Sequence, residues 1–146
     1  MLKDYPNYDV DENGVVINLK TGKILKSFSD TTGYHQVNLC KDGKRKRHQV
    51  HRLVAEKYLQ NFSPTLEVDH IDRNRKNNLL SNLRIVTHQQ NTFNTSAKGY
   101  SFNKKTGKYR AYICINGNSI HLGYYELEAD AAAAYVAAKE KYHSYA

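Results

Sequence analysis

Four side chains between residues 69 and 91 have types and spacing suited to hydrolytic chemistry. Asp69 and His70 are adjacent, and Asn82 and Asn91 follow them. A histidine can act as a base near neutral pH, and carboxylate and amide oxygens suit a hard cation such as Mg²⁺. Together they would let a base and a metal ion act on one water molecule. Taken singly, His70 also fits an ordinary surface histidine, and Asn82 and Asn91 fit turn or cap residues.

The elements that would position these side chains follow the order strand, loop, strand, helix. Apolar and β-branched residues predict strands at 66–71 and 83–86, with a polar loop from Asp72 to Asn78 between them. A helix is expected to begin after Thr87, which can cap it. A short helix over 51–59 precedes the first strand, because its apolar residues recur at helical spacing.

A longer motif contains the four side chains. It consists of Val68-Asp69-His70-Ile71-Asp72, Asn77-Asn78, Ser81-Asn82-Leu83-Arg84 and Gln90-Asn91. The motif resembles the HNH endonuclease family, in the subgroup of phage-encoded and intron-encoded homing enzymes, over about residues 50 to 94. The resemblance implies a ββα-metal fold and a metal-dependent enzyme that hydrolyses phosphodiester bonds in DNA.

The resemblance also implies a role for each matched residue. His70 would be the general base that deprotonates the attacking water, and Asn82 would hydrogen-bond near it and fix the orientation of its ring. Asp69 and Asn91 would be the metal ligands, with Asn91 in place of the family's final histidine. The expected ion is Mg²⁺ or Mn²⁺. No structural zinc is expected, because the chain lacks the cysteine pairs of zinc-bound relatives.

Residues 1–50 are expected to form a small antiparallel β module, because short apolar runs alternate with turn pairs such as Asn13-Gly14. The residues predicted to bind DNA phosphates at its last turn are Arg45, Lys46 and Arg47. A solvated loop is the alternative for that turn. Arg52 and Arg84 are further candidates for phosphate contact, and helix packing and an ion pair are their respective alternatives.

Residues 95–146 are expected to form a three-stranded sheet packed on one helix, with an Asn116-Gly117 hairpin turn. Sequences such as Gly107-Lys108-Tyr109-Arg110-Ala111 and Leu122-Gly123-Tyr124-Tyr125 resemble the apetala/ethylene-response-factor DNA-binding domain. That resemblance implies readout of DNA by the sheet. Strand alternation places four candidate contacts on the face away from the helix: Lys108, Arg110, Tyr112 and His121.

Composition limits the class of protein. The chain has 146 residues and a formal net charge of +8, which favours a polyanionic partner. Cys40 and Cys114 are too few for a disulfide framework, and we expect both to be buried thiols. Without an apolar run long enough to span a membrane or form a signal peptide, the sequence predicts a soluble intracellular protein. The resemblance to phage-encoded homing enzymes implies the cytoplasm of a bacterial or phage-infected cell.

We therefore expect an α+β chain of three modules, at residues 1–50, 51–94 and 95–146. Its partner would be double-stranded DNA, bound by a monomer that nicks one strand, with a dimer as the alternative; no membrane contact is expected. A DNA-binding regulator without catalytic activity is the main competing hypothesis. RNA binding is a weaker one, and it would favour unpaired strands.

Overall fold

A computed structural model describes residues 1–94 and 98–143. The chain divides into two compact units, residues 1–91 and 92–146. We expected three modules, but residues 1–50 and the following segment to residue 91 lie in one unit. The α+β class with small antiparallel sheets is confirmed.

The first unit contains three small antiparallel sheets. Strand β1 pairs with β2, strand β4 lies between β3 and β5, and strand β6 pairs with β7. The strands are β1 (Tyr8–Val10), β2 (Val16–Asn18), β3 (Phe28–Ser29), β4 (His35–Lys41), β5 (Lys44–Gln49), β6 (Glu67–His70) and β7 (Leu83–Val86). The helices are α1 (Val50–Tyr58), a short 3-10 helix (Leu80–Asn82) and α2 (His88–Phe93), whose last two residues fall in the second unit.

One apolar core explains why the first two predicted modules lie in a single unit. Val10 and Leu39 from the N-terminal sheets are fully buried in the same cluster as Val54 of α1, Val68 of β6 and Leu83 of β7. Burying these side chains removes apolar surface from water, and a chain this short gains more from one shared core than from two separate ones. Residues 1–50 therefore help to build the β6–β7 region.

The second unit has the predicted sheet packed on a helix. Its sheet has the order β10-β9-β8. The elements are β8 (Tyr100–Asn103), β9 (Lys108–Ile115), β10 (Asn118–Tyr125) and α3 (Glu128–Tyr142). Ala111 and Ile113 of β9 are buried with Ala131 and Ala138 of α3, as strand alternation predicted. The small alanines allow the helix to lie close to the sheet.

Two local features of the second unit follow from backbone geometry. Asn116 and Gly117 have φ angles of 51° and 77°, which confirms the tight hairpin turn predicted from their residue types. Gly99 has a φ of 75°, and a Cβ atom there would lie 2.0 Å from the Tyr135 ring. Gly99 is therefore required both by its conformation and by the close approach of that ring.

The prediction for the cysteines was wrong, because both Cys40 and Cys114 are exposed. Each lies on the outer face of its strand, next to a buried neighbour such as Leu39 or Ile113. No helix in the described ranges has the length and apolar character needed to cross a bilayer.

Candidate active site

The β6–β7 hairpin and helix α2 position the predicted catalytic residues. Register pairs Asp69 with Arg84 and His70 with Leu83, so His70 lies at the end of the hairpin that joins the long loop. Thr87 caps α2 as expected, since its Oγ1 accepts a hydrogen bond from the Gln90 amide at 3.2 Å. The order of elements is the strand, strand, helix arrangement that the motif predicted.

His70 is almost fully buried, with 4% of its surface exposed. Its Nε2 atom lies 2.9 Å from Oδ1 of Asn78, which is also buried. Because an amide oxygen only accepts hydrogen bonds, His70 Nε2 carries the hydrogen and the proton-accepting lone pair is on Nδ1. This contact selects one tautomer of the ring.

The N-terminal sheets support Asn78. A Cβ atom on Gly14, in the turn between β1 and β2, would lie 3.0 Å from the Asn78 Cβ. Gly14 has a φ of 81°, so its conformation also favours glycine. Two residues after Asn78, the Leu80 amide donates a hydrogen bond to the Glu12 carbonyl at 2.8 Å, which anchors the loop. Residues 1–50 thus hold the partner of His70 in place.

Two aromatic rings from outside the motif pack near His70. The centroid of the His51 ring, on α1, is 4.8 Å from that of His70. Tyr34, which precedes β4, has its ring centroid 5.0 Å from His51 and 5.9 Å from His70. Burial lowers the pKa of His51 to about 3, and the nearby His70 and Arg52 act in the same direction. His51 is therefore a neutral ring at physiological pH.

The predicted metal ligand Asp69 is buried and forms an ion pair with Arg84. Oδ2 of Asp69 accepts from Nε of Arg84 at 2.9 Å and lies 2.7 Å from Nη2. The two residues are register partners, which explains the contact. Of the two interpretations open for Arg84, the structure therefore contains the ion pair.

Glu67 joins helix α2 to strand β6. Its Oε2 accepts from Nδ2 of Asn91 at 2.5 Å, and its Oε1 lies 2.7 Å from Nδ1 of the exposed His88. Hydrogen bonding to His88, and then to Asn91, lowers the pKa of Glu67 below its usual range. Because the carboxylate accepts only, the NH₂ group of Asn91 faces Glu67 and its carbonyl oxygen lies on the other side of the amide.

The side chain of Asn82 contacts the loop after β6 rather than the His70 ring. Its Nδ2 donates to Oδ1 of Asp72 and to the Asn77 carbonyl, both at 2.9 Å, and its Oδ1 accepts from the Asp72 amide at 3.0 Å. The contact with His70 that we expected from Asn82 is made by Asn78. The physical reason is that the loop folds back across the end of the hairpin.

Asp72 stabilises the loop after β6 in two ways. It closes a turn, since its Oδ1 accepts from the Asn74 amide at 2.8 Å, and it orients Asn82 and Asn77 through its two oxygens. The hydrogen bond from Asn77 is the main reason that the pKa of Asp72 lies below its usual range. Asn82 and Asp72 together order the loop that carries Asn78.

The donor atoms near β6 fit a hard divalent cation. Asp69 offers a carboxylate and Asn91 an amide oxygen, which are ligand types that Mg²⁺ and Mn²⁺ accept. In residues 1–94 and 98–143, no group of three or more His, Cys, Asp or Glu side chains is arranged to hold an ion. The predicted pair contains one residue of those types and one amide, so that finding does not test it.

The predicted DNA-binding residues of the first unit fall in two different settings. Arg45, Lys46 and Arg47 on β5 are exposed, and Arg47 lies over the Phe28 ring at 5.8 Å. Arg52 instead points its guanidinium at the Leu66 carbonyl, 3.3 Å away. The hairpin cations are therefore accessible to phosphate, whereas Arg52 holds the segment that leads into β6.

The predicted residues of the second unit lie on the sheet face away from α3. Arg110 and His121 are exposed, with Nε of Arg110 3.4 Å from Nδ1 of His121, and Arg110 also lies 5.7 Å from the Tyr112 ring centroid. Lys108 is exposed at the start of β9. A register shift between His121 and Gly123 brings Tyr124 opposite Arg110, with its ring 4.8 Å from that of His121.

Several residues of the site escaped the sequence-based assignment of roles. Asn78 lies in the motif, but nothing in its position distinguishes it from Asn77. Glu67 would have been found from strand alternation, which places it on the same face as Asp69. His51 and Tyr34 come from outside the motif, and only tertiary packing brings them to His70. Tyr124 was hidden by the bulge, for which the adjacent Gly123 was the one signal.

Comparison with known proteins places this geometry in a family. The family model described as HNH endonuclease matches residues 48–93. DNA endonuclease I-HmuI of Bacillus phage SP01 is 44% identical over 99 residues, covering 67% of this chain and 57% of the relative. H-N-H endonuclease F-TflII of Escherichia phage T5 is 34% identical over 100 residues, covering 67% of this chain and 52% of the relative.

A solved structure extends the similarity to the fold. The structure titled "DNA binding and cleavage by the HNH homing endonuclease I-HmuI" superimposes with a TM-score of 0.62 at 36% identity, covering 82% of this chain and 74% of that one. The chain spans about half the length of the curated phage relatives it matches. None of these matches is described as an apetala/ethylene-response-factor domain, so that resemblance stays a prediction. With its β6–β7–α2 site and these matches, the chain belongs to the HNH endonuclease family.

Proposed function

We propose that this protein is a divalent-metal-dependent endonuclease that hydrolyses phosphodiester bonds in double-stranded DNA. The observation that carries the proposal is the buried His70, which a hydrogen bond from Nε2 to Asn78 holds beside Asp69 in the β6–β7–α2 arrangement. The phage relative I-HmuI is named for DNA binding and cleavage, which supports the same substrate.

His70 is the general base of the proposed reaction. Its Nδ1 accepts a proton from a water molecule while the water oxygen forms a bond to phosphorus. The bond between phosphorus and the 3′ oxygen then breaks, which leaves a 5′-phosphate and a 3′ oxygen that takes a proton from solvent to become a hydroxyl. Asn78 maintains the Nε2-protonated tautomer throughout, and the loop ordered by Asn82 and Asp72 holds Asn78. General-base catalysis of this kind is worth about 10²–10⁴-fold.

Asp69 and Asn91 would hold the metal ion, Mg²⁺ or Mn²⁺. When bound, the ion would neutralise charge on the phosphate and stabilise the departing oxygen. Glu67 orients Asn91, and Arg84 competes for the charge of Asp69. Because Arg84 already neutralises that carboxylate and Asn91 is an uncharged amide, we expect weak metal binding in the absence of DNA. Phosphate oxygens of bound DNA would supply further oxygen ligands.

Exposed cations on both units would hold the duplex. The hairpin residues Arg45, Lys46 and Arg47 and the sheet residues Lys108, Arg110, Tyr112 and His121 are the proposed contacts. Phosphate contacts of this kind fix the position of DNA without reading its sequence. One site per chain favours a monomer that nicks a single strand. The phage relatives support a homing enzyme that acts in the cytoplasm of a bacterial or phage-infected cell.

The test is plasmid cleavage by the parent protein, by His70→Ala and by the parent with EDTA, using supercoiled DNA and Mg²⁺. We expect the parent to convert the plasmid to open circles and both controls to leave it supercoiled. A parent that binds the plasmid and leaves it intact would instead support a DNA-binding regulator. A parent that prefers single-stranded RNA in a competition assay would contradict the choice of substrate.

A further inference from the structure

The ring of His51 covers one side of the His70 ring. The two centroids are 4.8 Å apart with an interplanar angle of 58°, and Tyr34 lies against both rings. Tyr34 also contacts Arg75. The Arg75 guanidinium lies 4.8 Å from the Tyr34 ring centroid and donates a hydrogen bond to the Thr32 carbonyl. His70 therefore lies among groups that come from three separate parts of the first unit.

His51 acts on its neighbours through its ring surface and not through a hydrogen bond. It is 4% exposed, and its Nδ1 is a buried nitrogen without a hydrogen-bond partner. A buried polar atom without a partner is destabilising, so this nitrogen does not stabilise the contact with His70. Burial also keeps this ring uncharged, and an uncharged ring can pack on His70 without electrostatic repulsion.

Asn78 and His51 restrict the His70 ring in complementary ways. The hydrogen bond to Asn78 fixes the position of Nε2 at 2.9 Å, but rotation about the line through that contact would still move Nδ1. The His51 ring, in tilted contact with the imidazole at a centroid distance of 4.8 Å, opposes that rotation. Because proton transfer requires the accepting atom within hydrogen-bond reach of the water, a small displacement of Nδ1 would lower the rate.

We propose that His51 is a positioning residue for His70, whose buried ring packs on the imidazole and leaves it one orientation. The inference rests on the proposed function, because it assigns His51 to the general base of that reaction. His51 acts through the shape of its ring and touches neither DNA nor the reacting atoms. A phenyl ring should therefore replace it, whereas a methyl group should not.

The experiment compares His51→Ala and His51→Phe with Leu53→Ala, a matched truncation in the apolar core of the same helix. The first measurement is the nitrogen-proton correlation spectrum of the His70 ring in the free protein, at a pH where the ring is neutral. We expect the parent, His51→Phe and Leu53→Ala to show one Nε2-protonated tautomer. His51→Ala should show a mixture of tautomers or exchange broadening.

The second measurement is plasmid nicking at saturating protein and Mg²⁺, well below the unfolding temperature of every variant. We expect His51→Ala to cleave about tenfold more slowly than the parent, with unchanged DNA affinity. His51→Phe should stay within about threefold of the parent, because it keeps the ring. Leu53→Ala should lose stability but keep its rate.

Two results would overturn the inference. One is His51→Ala with a single His70 tautomer and the parental rate, which would leave the nuclease assignment standing. The other is Leu53→Ala with the same spectral change and rate loss, which would reduce His51 to general core packing. If the parent itself does not cleave DNA, the proposed function fails, and the spectra alone still decide whether His51 orients His70.

Discussion

The two compact units place polar side chains of their candidate sites in different environments, buried around His70 in the first and exposed on the sheet of the second. In the first unit, Asp69, His70 and Asn78 are buried and each makes a defined contact. In the second, Arg110 and His121 are exposed on a sheet whose other side, with Ala111 and Ile113, packs on the alanines of α3. The first arrangement holds atoms in one geometry, as the proposed reaction requires, and the second leaves side chains accessible, as the proposed contact with DNA requires.

The difference has a physical basis. A buried polar group must keep its partners, because an unpaired one is costly, so a buried network holds its members in one geometry. Long exposed cations keep their rotamer freedom and can adjust to a phosphate backbone whose path varies along the duplex. We therefore expect changes in the buried network around His70 to alter the reaction rate, and changes at the exposed cations, such as Arg110 on the sheet of the second unit, to alter DNA affinity.

The largest expected effect is that of Asp69→Asn. It removes the charge of the proposed metal ligand and weakens the ion pair with Arg84, so the nicking rate at saturating protein should fall on the order of 10³-fold. DNA affinity measured in EDTA should change little. Glu56→Gln, an exposed acidic position on α1, is the control and should keep the parental rate. A loss of less than tenfold for Asp69→Asn would show that the carboxylate is not a ligand.

A second prediction concerns the stability of the first unit in acid. His51 has a pKa of about 3 when folded and 6.5 as its ordinary value, so the unfolded chain binds the extra proton between those values. This contribution to stability is complete above pH 6.5 and is lost as the pH falls toward 3. In urea unfolding at about pH 7 and pH 4.5, the parent should lose about 2 kcal/mol more than His51→Phe. Equal losses would show that His51 is not buried as a neutral ring.

A third prediction tests whether Glu67 orients the proposed metal ligand Asn91 without binding the ion itself. Glu67→Gln weakens the contact that orients Asn91, so the Mg²⁺ concentration for half-maximal nicking should rise about tenfold. The rate at saturating Mg²⁺ should stay close to that of the parent. Glu140→Gln on α3 removes an exposed carboxylate from the second unit as a control. A fall in the saturated rate without a shift in the Mg²⁺ titration would mean that Glu67 acts elsewhere.

The smallest expected effect is in the second unit. Arg110→Ala should weaken duplex binding about fivefold and lower the salt slope of binding by about one. Lys139→Ala removes a cation from α3, on the other side of the sheet, and should do neither. The comparison between the units would fail here if the two variants bound DNA equally well.

Patterns of local sequence predicted most of the secondary structure. Strand β7 and the cap at Thr87 were confirmed from residue types and spacing alone, and alternation correctly assigned Ala111 and Ile113 to the buried face of β9. These features depend on neighbours in the chain. Residues 1–50 and the β6–β7 hairpin share one core. This sharing depends on contacts between residues far apart in the chain, so local sequence patterns did not predict it.

For the candidate site, the sequence predicted the main residues but not the contacts that they make. Motif spacing identified Asp69, His70 and Asn91, and the structure brings them to one hairpin and the helix that follows it. The partners of these residues were not predictable, because a loop that folds back can present Asn77, Asn78 or Asn82 to His70. The contact of Arg84 with Asp69 follows from hairpin register, so counting residues across the pair would have found it.

The most direct test of the account measures rate and affinity on the same plasmid for two variants. One is His70→Ala, and the other is the double variant Arg110→Ala/His121→Ala. We predict that His70→Ala loses nicking at saturating protein while keeping its DNA affinity, and that the double variant binds more weakly but nicks at the parental rate once saturated. If His70→Ala nicks normally, or if the double variant loses its saturated rate as well, chemistry and binding are not divided between the buried network around His70 and the exposed sheet of the second unit as proposed.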